Sequence, residues 1–304
     1  MEADTTQVVR ARFAVSGETF ALLAYLALGA LFLIVVSGAT VRLTGSGLGC
    51  DNWPRCGSSF LPEKNFHALV EYGNRGVGFL VGLVTLAAAI AATRVDHLPR
   101  WLVWAAWALP FTVLAQGILG GITVIFELHP LIVMSHFLLS LLALAVAVVV
   151  AVGARDFARG TTRHPPLAAN WLAVVLVPSA FALIATGTLV TAAGPHSGGE
   201  KIKRYGLLPD ALHIHVGATA IFGIAFLGIV ASLLWRREGA RGDLLFAAGV
   251  LGLLLVQMTV GDVQWREHLP WPLVLAHVTL ATAVWGGVVA LAARLLLRSR
   301  PVLP

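Results

Sequence analysis

The sequence predicts an all-α integral membrane protein, with eight transmembrane helices arranged as two pseudo-symmetric four-helix bundles. Three observations lead there. Of 304 residues, 58% are hydrophobic and only 12% charged, about half the charged fraction of an ordinary soluble domain; the mean hydropathy is +0.85. Eight apolar runs approach the span of about 20 residues that crosses a bilayer. Short motifs also recur in the same order in the first and second halves of the chain, which sets the architecture as a repeat.

The runs fall near 20–40, 67–92, 101–120, 131–152, 168–190, 210–235, 244–260 and 271–297. The first follows a polar stretch with Arg10 and Arg12 and lacks a small-residue cleavage site, so it reads as a retained helix and not a signal peptide. Lys and Arg divide thirteen against seven between the two sets of connectors, which turns both termini to the cytoplasm by the positive-inside rule. The net charge of +6 is thus explained by topology. No basic patch interleaved with aromatics is present, and nucleic acid is not an expected partner.

The connector after the first run holds the only two cysteines, Cys50 and Cys56. On the outer side of the membrane a disulfide is expected there. Either it staples the loop over the membrane surface, or the pair has a redox role. The second run opens His67-Ala-Leu-Val-Glu71-Tyr-Gly-Asn74-Arg75. On a helix His67, Glu71, Asn74, Arg75 and Gly78 share one face, and Glu71 precedes Arg75 in the favourable i,i+4 order. A charge at the centre of a membrane helix costs roughly 2.5–3.5 kcal/mol, and less near its end, so such a pair marks a site by default. The plainer alternative is a neutralised ion pair that locks helix packing.

The fifth run repeats the first: Gly38, Val41 and Gly45 correspond to Gly187, Val190 and Gly194. The third carries Gln116 and Gly120, the seventh Gln257 and Gly261. Four helices followed by four place the pseudo-twofold axis along the membrane normal, with halves 1–154 and 155–304. Of ten histidines, four lie within helical runs: His136, His213, His215 and His277. His136 follows Pro130 by six residues, His215 follows Pro209 by six, His277 follows Trp271 by six, and Asn74 follows His67 by seven. At 1.5 Å per residue these positions share one level, roughly 10 Å inside. Taken singly, an intramembrane histidine is an ordinary hydrogen-bonding bridge between helices. A shared plane of them on facing helices is a plan for clamping haem iron, and Gly78, Gly82, Gly217 and Gly223 lower the helix surfaces nearby. His213 is rotated about 200° from His215 and is not a ligand candidate.

Thr44-Gly-Ser-Gly-Leu-Gly-Cys50-Asp-Asn-Trp53-Pro54-Arg-Cys56, followed by His67 through Arg75, closely resembles the signature of the haem A synthase family, and the resemblance extends over the whole chain. It implies an oxidoreductase that converts the C8 methyl of haem O to the formyl group of haem A for terminal oxidases. It also implies a haem b cofactor in the C-terminal half on His215 and His277. The N-terminal half would take substrate haem O, with Glu71 as the essential carboxylate and His136 as one axial position. Where the family has its other substrate-side histidine, this chain has Asn74. Arg75 lies beside the site, and Arg42, Arg55, Lys64, Lys201, Lys203 and Arg204 are candidate propionate partners. Haem O synthase and an electron acceptor are the implied partners, and the plasma membrane of a prokaryote the implied location. Two rival readings are a di-haem electron-transfer membrane cytochrome b, which has no need of Glu71 and would want both histidine pairs complete, and a non-catalytic haem carrier for oxidase assembly, which would bind haem O without altering it.

Overall fold

The computed structural model describes residues 14–50, 52–164, 171–195, 204–236, 241–296 and 298–301. Eight helices, each long and apolar enough to cross a membrane, fall where the apolar runs are. They are α1 (Gly17–Leu43), α2 (Phe66–Ala92), α3 (Arg100–Ile125), α4 (Pro130–Ala158), α5 (Trp171–Ala193), α6 (Leu208–Arg236), α7 (Arg241–Arg266) and α8 (Trp271–Leu296).

Local chemistry sets several of their ends. Ser16 Oγ caps α1 by accepting from the Thr19 amide at 3.1 Å, and Asn65 Oδ1 caps α2 through the Ala68 amide at 2.8 Å, each satisfying a first-turn donor. Pro130 opens α4 at a position that needs no amide proton. Helix α7 runs several residues past its apolar stretch because polar residues continue it, with Arg266 paired to Asp262 at 2.8 Å one turn back.

Helix α1 packs against α2 and α4, and α3 packs against the same two. That closes a ring in which α2 and α4 occupy opposite corners. The second half repeats it: α5 and α7 each pack against α6 and α8, so α6 and α8 stand opposite. The α3–α4 turn passes through left-handed Glu127 and Leu128, and the α7–α8 turn through left-handed His268 and Leu269. Leu128 N donates to Thr123 O at 2.8 Å and Leu269 N to Gln264 O at 2.7 Å, so the two turns share a hydrogen-bond plan as well as a backbone path.

The halves join along α8, which packs on α1 and α4, and along α5, which touches α4. Trp285 is fully buried at this seam and donates its indole N–H to Leu141 O at 2.8 Å. One apolar core runs through both halves, while Phe79, Trp104, Phe111 and Ile224 stay largely exposed on the outside, as a lipid-facing surface requires. One feature lies outside the all-α expectation: β1 (Thr161–His164) pairs antiparallel with β2 (Arg298–Pro301), tying the α4–α5 connector to the segment after α8.

Candidate functional site

Asn74, His136, His215 and His277 lie on α2, α4, α6 and α8, so each half sets two of them on opposite corners of its ring. His215 and His277 follow Asn74 and His136 by 141 positions, and the same shift carries Gln116 and Gly120 onto Gln257 and Gly261. The structure shows why these residues recur together. Each of the four faces a glycine of the preceding odd-numbered helix: Asn74 faces Gly38, His136 faces Gly120, His215 faces Gly187 and His277 faces Gly261. A β-carbon on Gly187 would come 3.1 Å from the His215 ring, and one on Gly261 would come 3.0 Å from the His277 ring. Both glycines are therefore notches cut for imidazoles.

Hydrogen bonds orient the rings. His215 Nδ1 meets Leu183 O at 3.1 Å and Thr186 Oγ1 at 3.2 Å; donation to the carbonyl fixes the tautomer and leaves Nε2 with its lone pair. His277 Nε2 meets Gln257 Nε2 at 3.1 Å, and its Nδ1 is buried without a partner. Gln116 Nε2 donates to His136 O at 3.1 Å and to Ser140 Oγ at 2.9 Å, and His136 Nδ1 is likewise buried without a partner. Ser37 Oγ donates to Asn74 Oδ1 at 2.7 Å. In the sequence Gln116 and Gln257 stand only as marks of the repeat, and Ser37 and Thr186 carry no signal of a role. For the two glutamines, the signal that could have found one was their shared offset of 20 positions to His136 and His277.

No cluster of three or more His, Cys, Asp or Glu side chains suited to a metal occurs among the described residues. A bare metal ion wants three or four protein ligands, whereas iron in a porphyrin needs only axial ones. Imidazoles on opposite corners at glycine-lowered surfaces, His215 with its Nε2 unengaged, fit the second case. His213 is exposed on α6, turned away from the notch that holds His215.

The buried carboxylate has a fixed partner on each oxygen. Glu71 is only 5% exposed. Its Oε2 accepts from the Cys50 amide at 2.8 Å, and its Oε1 accepts from Arg75 Nη2 at 2.6 Å. Arg75 then reaches out of the helix. It donates to Asn52 O at 3.1 Å, Arg55 O at 2.9 Å and Pro54 O at 3.3 Å. The pair therefore grips the α1–α2 loop by four backbone groups. Within that loop Cys50 and Cys56 are disulfide-bonded, with Cα atoms 4.4 Å apart. Gly49 presses on the His67 carbonyl so closely that a β-carbon there would strike it, and Trp53 lies over Gly121 of α3. The loop is thus a roof that runs from Glu71 to the notch beside His136.

The remaining candidates are spread around this roof. His67 is exposed, with Nδ1 2.9 Å from Ser46 Oγ, beside a concavity of about 240 Å³ that Glu63 and Asn65 also line. Arg42 is half-buried near the end of α1, Lys64 and Arg204 are exposed, and exposed Arg55 stacks its guanidinium 5.3 Å from the Phe60 ring centroid. Arg10, Arg12, His196, Lys201, Lys203 and Arg237 lie outside the described residues.

Comparison with known proteins adds an independent line. Residues 21–196 match the COX15-CtaA family, described as cytochrome oxidase assembly protein. The chain is 31% identical over 272 residues to a protein named heme A synthase from Symbiobacterium thermophilum, covering 84% of this chain and 89% of that one. A heme A synthase from Geobacillus kaustophilus is 24% identical over 84% of this chain and 85% of its own length. One from Bacillus licheniformis is 33% identical over 118 residues, 38% of this chain and 39% of that protein.

Proposed function

The chain belongs to the COX15-CtaA family of cytochrome oxidase assembly proteins, and from that premise we propose that it is a haem A synthase: a multi-pass membrane oxidoreductase that converts the C8 methyl of haem O to the formyl group of haem A. The observation that carries the reading is Glu71, a buried carboxylate one turn from Asn74, in the half whose opposite corner holds His136. An electron-transfer cytochrome or a passive carrier has no use for it.

In this reading the C-terminal half, 155–304, holds haem b between His215 and His277. The N-terminal half, 1–154, takes haem O on His136 under the disulfide-bonded roof. Both termini face the cytoplasm of a prokaryotic cell and the roof faces outward. A haem O synthase supplies the substrate, and a separate acceptor removes the electrons.

When bound, haem b supplies a one-electron redox centre. The chain's own residues do the rest. Turning a methyl into a formyl group with oxygen from water releases protons as well as electrons, and Glu71 is the group placed to receive a proton. Arg75 and the Cys50 amide hold its two oxygens in fixed directions, so the carboxylate meets the substrate without first reorganising. His136 sets the depth of the substrate, and Trp53 with the rest of the roof limits the entry of bulk water.

The test is haem extraction from cells that express the chain together with a haem O synthase. Haem A should accumulate with the unaltered protein and be absent with Glu71→Gln, which keeps shape and removes charge, while the variant retains normal levels and its haem b spectrum. Wild-type haem A yield from Glu71→Gln would refute the role of the carboxylate. Haem O bound by the unaltered protein and never converted would return the carrier reading.

A further inference from the structure

The position held by His215 in the C-terminal half is held in the N-terminal half by Asn74, and each side chain has a hydroxyl neighbour on the preceding odd-numbered helix. A hydroxyl from the preceding odd helix sits against one polar atom: Thr186 Oγ1 lies 3.2 Å from His215 Nδ1, and Ser37 Oγ donates to Asn74 Oδ1 at 2.7 Å. The other polar atom is left over. For His215 that atom is Nε2, which carries a lone pair and can ligate iron. For Asn74 it is Nδ2, whose two N–H bonds can only donate. Asn74 Nδ2 takes no partner among the described residues, yet it is not sealed off as Gln116 Oε1 and His136 Nδ1 are. On the opposite corner His136 offers a single imidazole.

Resting on the reading of the N-terminal half as the substrate site, we propose that the iron there has one protein ligand, His136, and an open coordination position on the Asn74 side. There Asn74 Nδ2 donates a hydrogen bond to a small anionic or oxygen-type ligand. Ser37 is the positioning residue that turns the amide. The two halves then differ in kind: the C-terminal iron is closed by two imidazoles, whereas the N-terminal iron is accessible and has a hydrogen-bond donor beside its free face, the feature that decides ligand binding at haem.

The experiment titrates purified protein, carrying its own haem b, with ferric protoporphyrin IX and then with fluoride, read by electron paramagnetic resonance and absorption. Fluoride needs an open ferric position, and its affinity responds to a donor beside it. A second equivalent should bind, be high-spin, and take fluoride. Asn74→Ala should stay high-spin but lose about tenfold or more in fluoride affinity, as expected for a lost hydrogen bond to a charged ligand; Ser37→Ala should lose less. Asn74→His should turn the second equivalent low-spin and block fluoride. The unchanged low-spin signal of the C-terminal haem reports that each variant is folded. A low-spin second equivalent in the unaltered protein, or unchanged fluoride affinity in Asn74→Ala, would overturn the proposal. Failure of any second equivalent to bind, or its survival in His136→Ala, would instead overturn the reading of this half as a haem site.

Discussion

Arg75 shows how one side chain can serve a site it does not complete. Its guanidinium spends one hydrogen bond on Glu71 and the others on the carbonyls of Asn52, Pro54 and Arg55, so the same group fixes the carboxylate and the roof above it. Removing it should loosen the loop by about 1–3 kcal/mol, the range for losing charge-assisted hydrogen bonds. We therefore expect Arg75→Ala to speed reduction of the Cys50–Cys56 disulfide by a non-permeant reductant on intact cells about tenfold, followed by labelling of both thiols with a non-permeant maleimide. Equal rates in the two proteins would deny the clamp, and labelling only after permeabilisation would reverse the membrane orientation. Glu71 and Arg75 were legible in the sequence because a charge inside an apolar run is costly enough to stand out. Their partners were not, because loop carbonyls carry no side-chain signature and the path of the loop follows no period.

At the level of the helix, the recurring unit is a polar residue on an even-numbered helix seated against a glycine of the odd-numbered helix before it. The repeat of Gly38 with Gly187, and of Gln116 and Gly120 with Gln257 and Gly261, could be read from the sequence. That these glycines meet the four plane residues required packing, since nothing in sequence spacing tells which faces of neighbouring helices touch. The notch sets a strict demand on volume. With a β-carbon 3.0 Å from the His277 ring or 3.1 Å from the His215 ring, the imidazole must move by a few tenths of an ångström, and overpacking of this kind costs about 1–3 kcal/mol. Gly261→Ala and Gly187→Ala should each weaken retention of haem b and broaden its low-spin spectrum after purification. Gly252→Ala, where nothing lies within 4 Å, is the control on the same α7 helix and should leave the spectrum unchanged. A normal spectrum in all three would mean that the notches are packing features alone.

At the scale of the whole molecule, the two rings are copies joined by one seam, with α8 against α1 and α4 and Trp285 bonded to Leu141. Copying fixes the depth of the four positions, and divergence at Asn74 makes the copies unequal. Eight spans and their order were legible from hydropathy alone, because the bilayer enforces length and composition; the short β1–β2 ladder was not, since Thr161–His164 and Arg298–Pro301 are too short and polar to signal strands. The inequality of the halves leads to a division of labour. On the proposed assignment, two imidazoles on opposite corners would hold iron from both sides, and about one low-spin haem b per chain should survive purification. One imidazole opposite an amide should hold its haem more weakly, which suits a substrate that enters and leaves. His277→Ala should therefore abolish the low-spin spectrum, and His136→Ala should preserve it while stopping haem A formation. Each variant should keep its folding and expression level, because neither His136 nor His277 makes the Trp285–Leu141 bond of the seam. If His136→Ala lost the low-spin haem while His277→Ala retained it, the cofactor and substrate halves would have to be exchanged, and Glu71 would then stand beside the resident haem and not beside the methyl group that is oxidised.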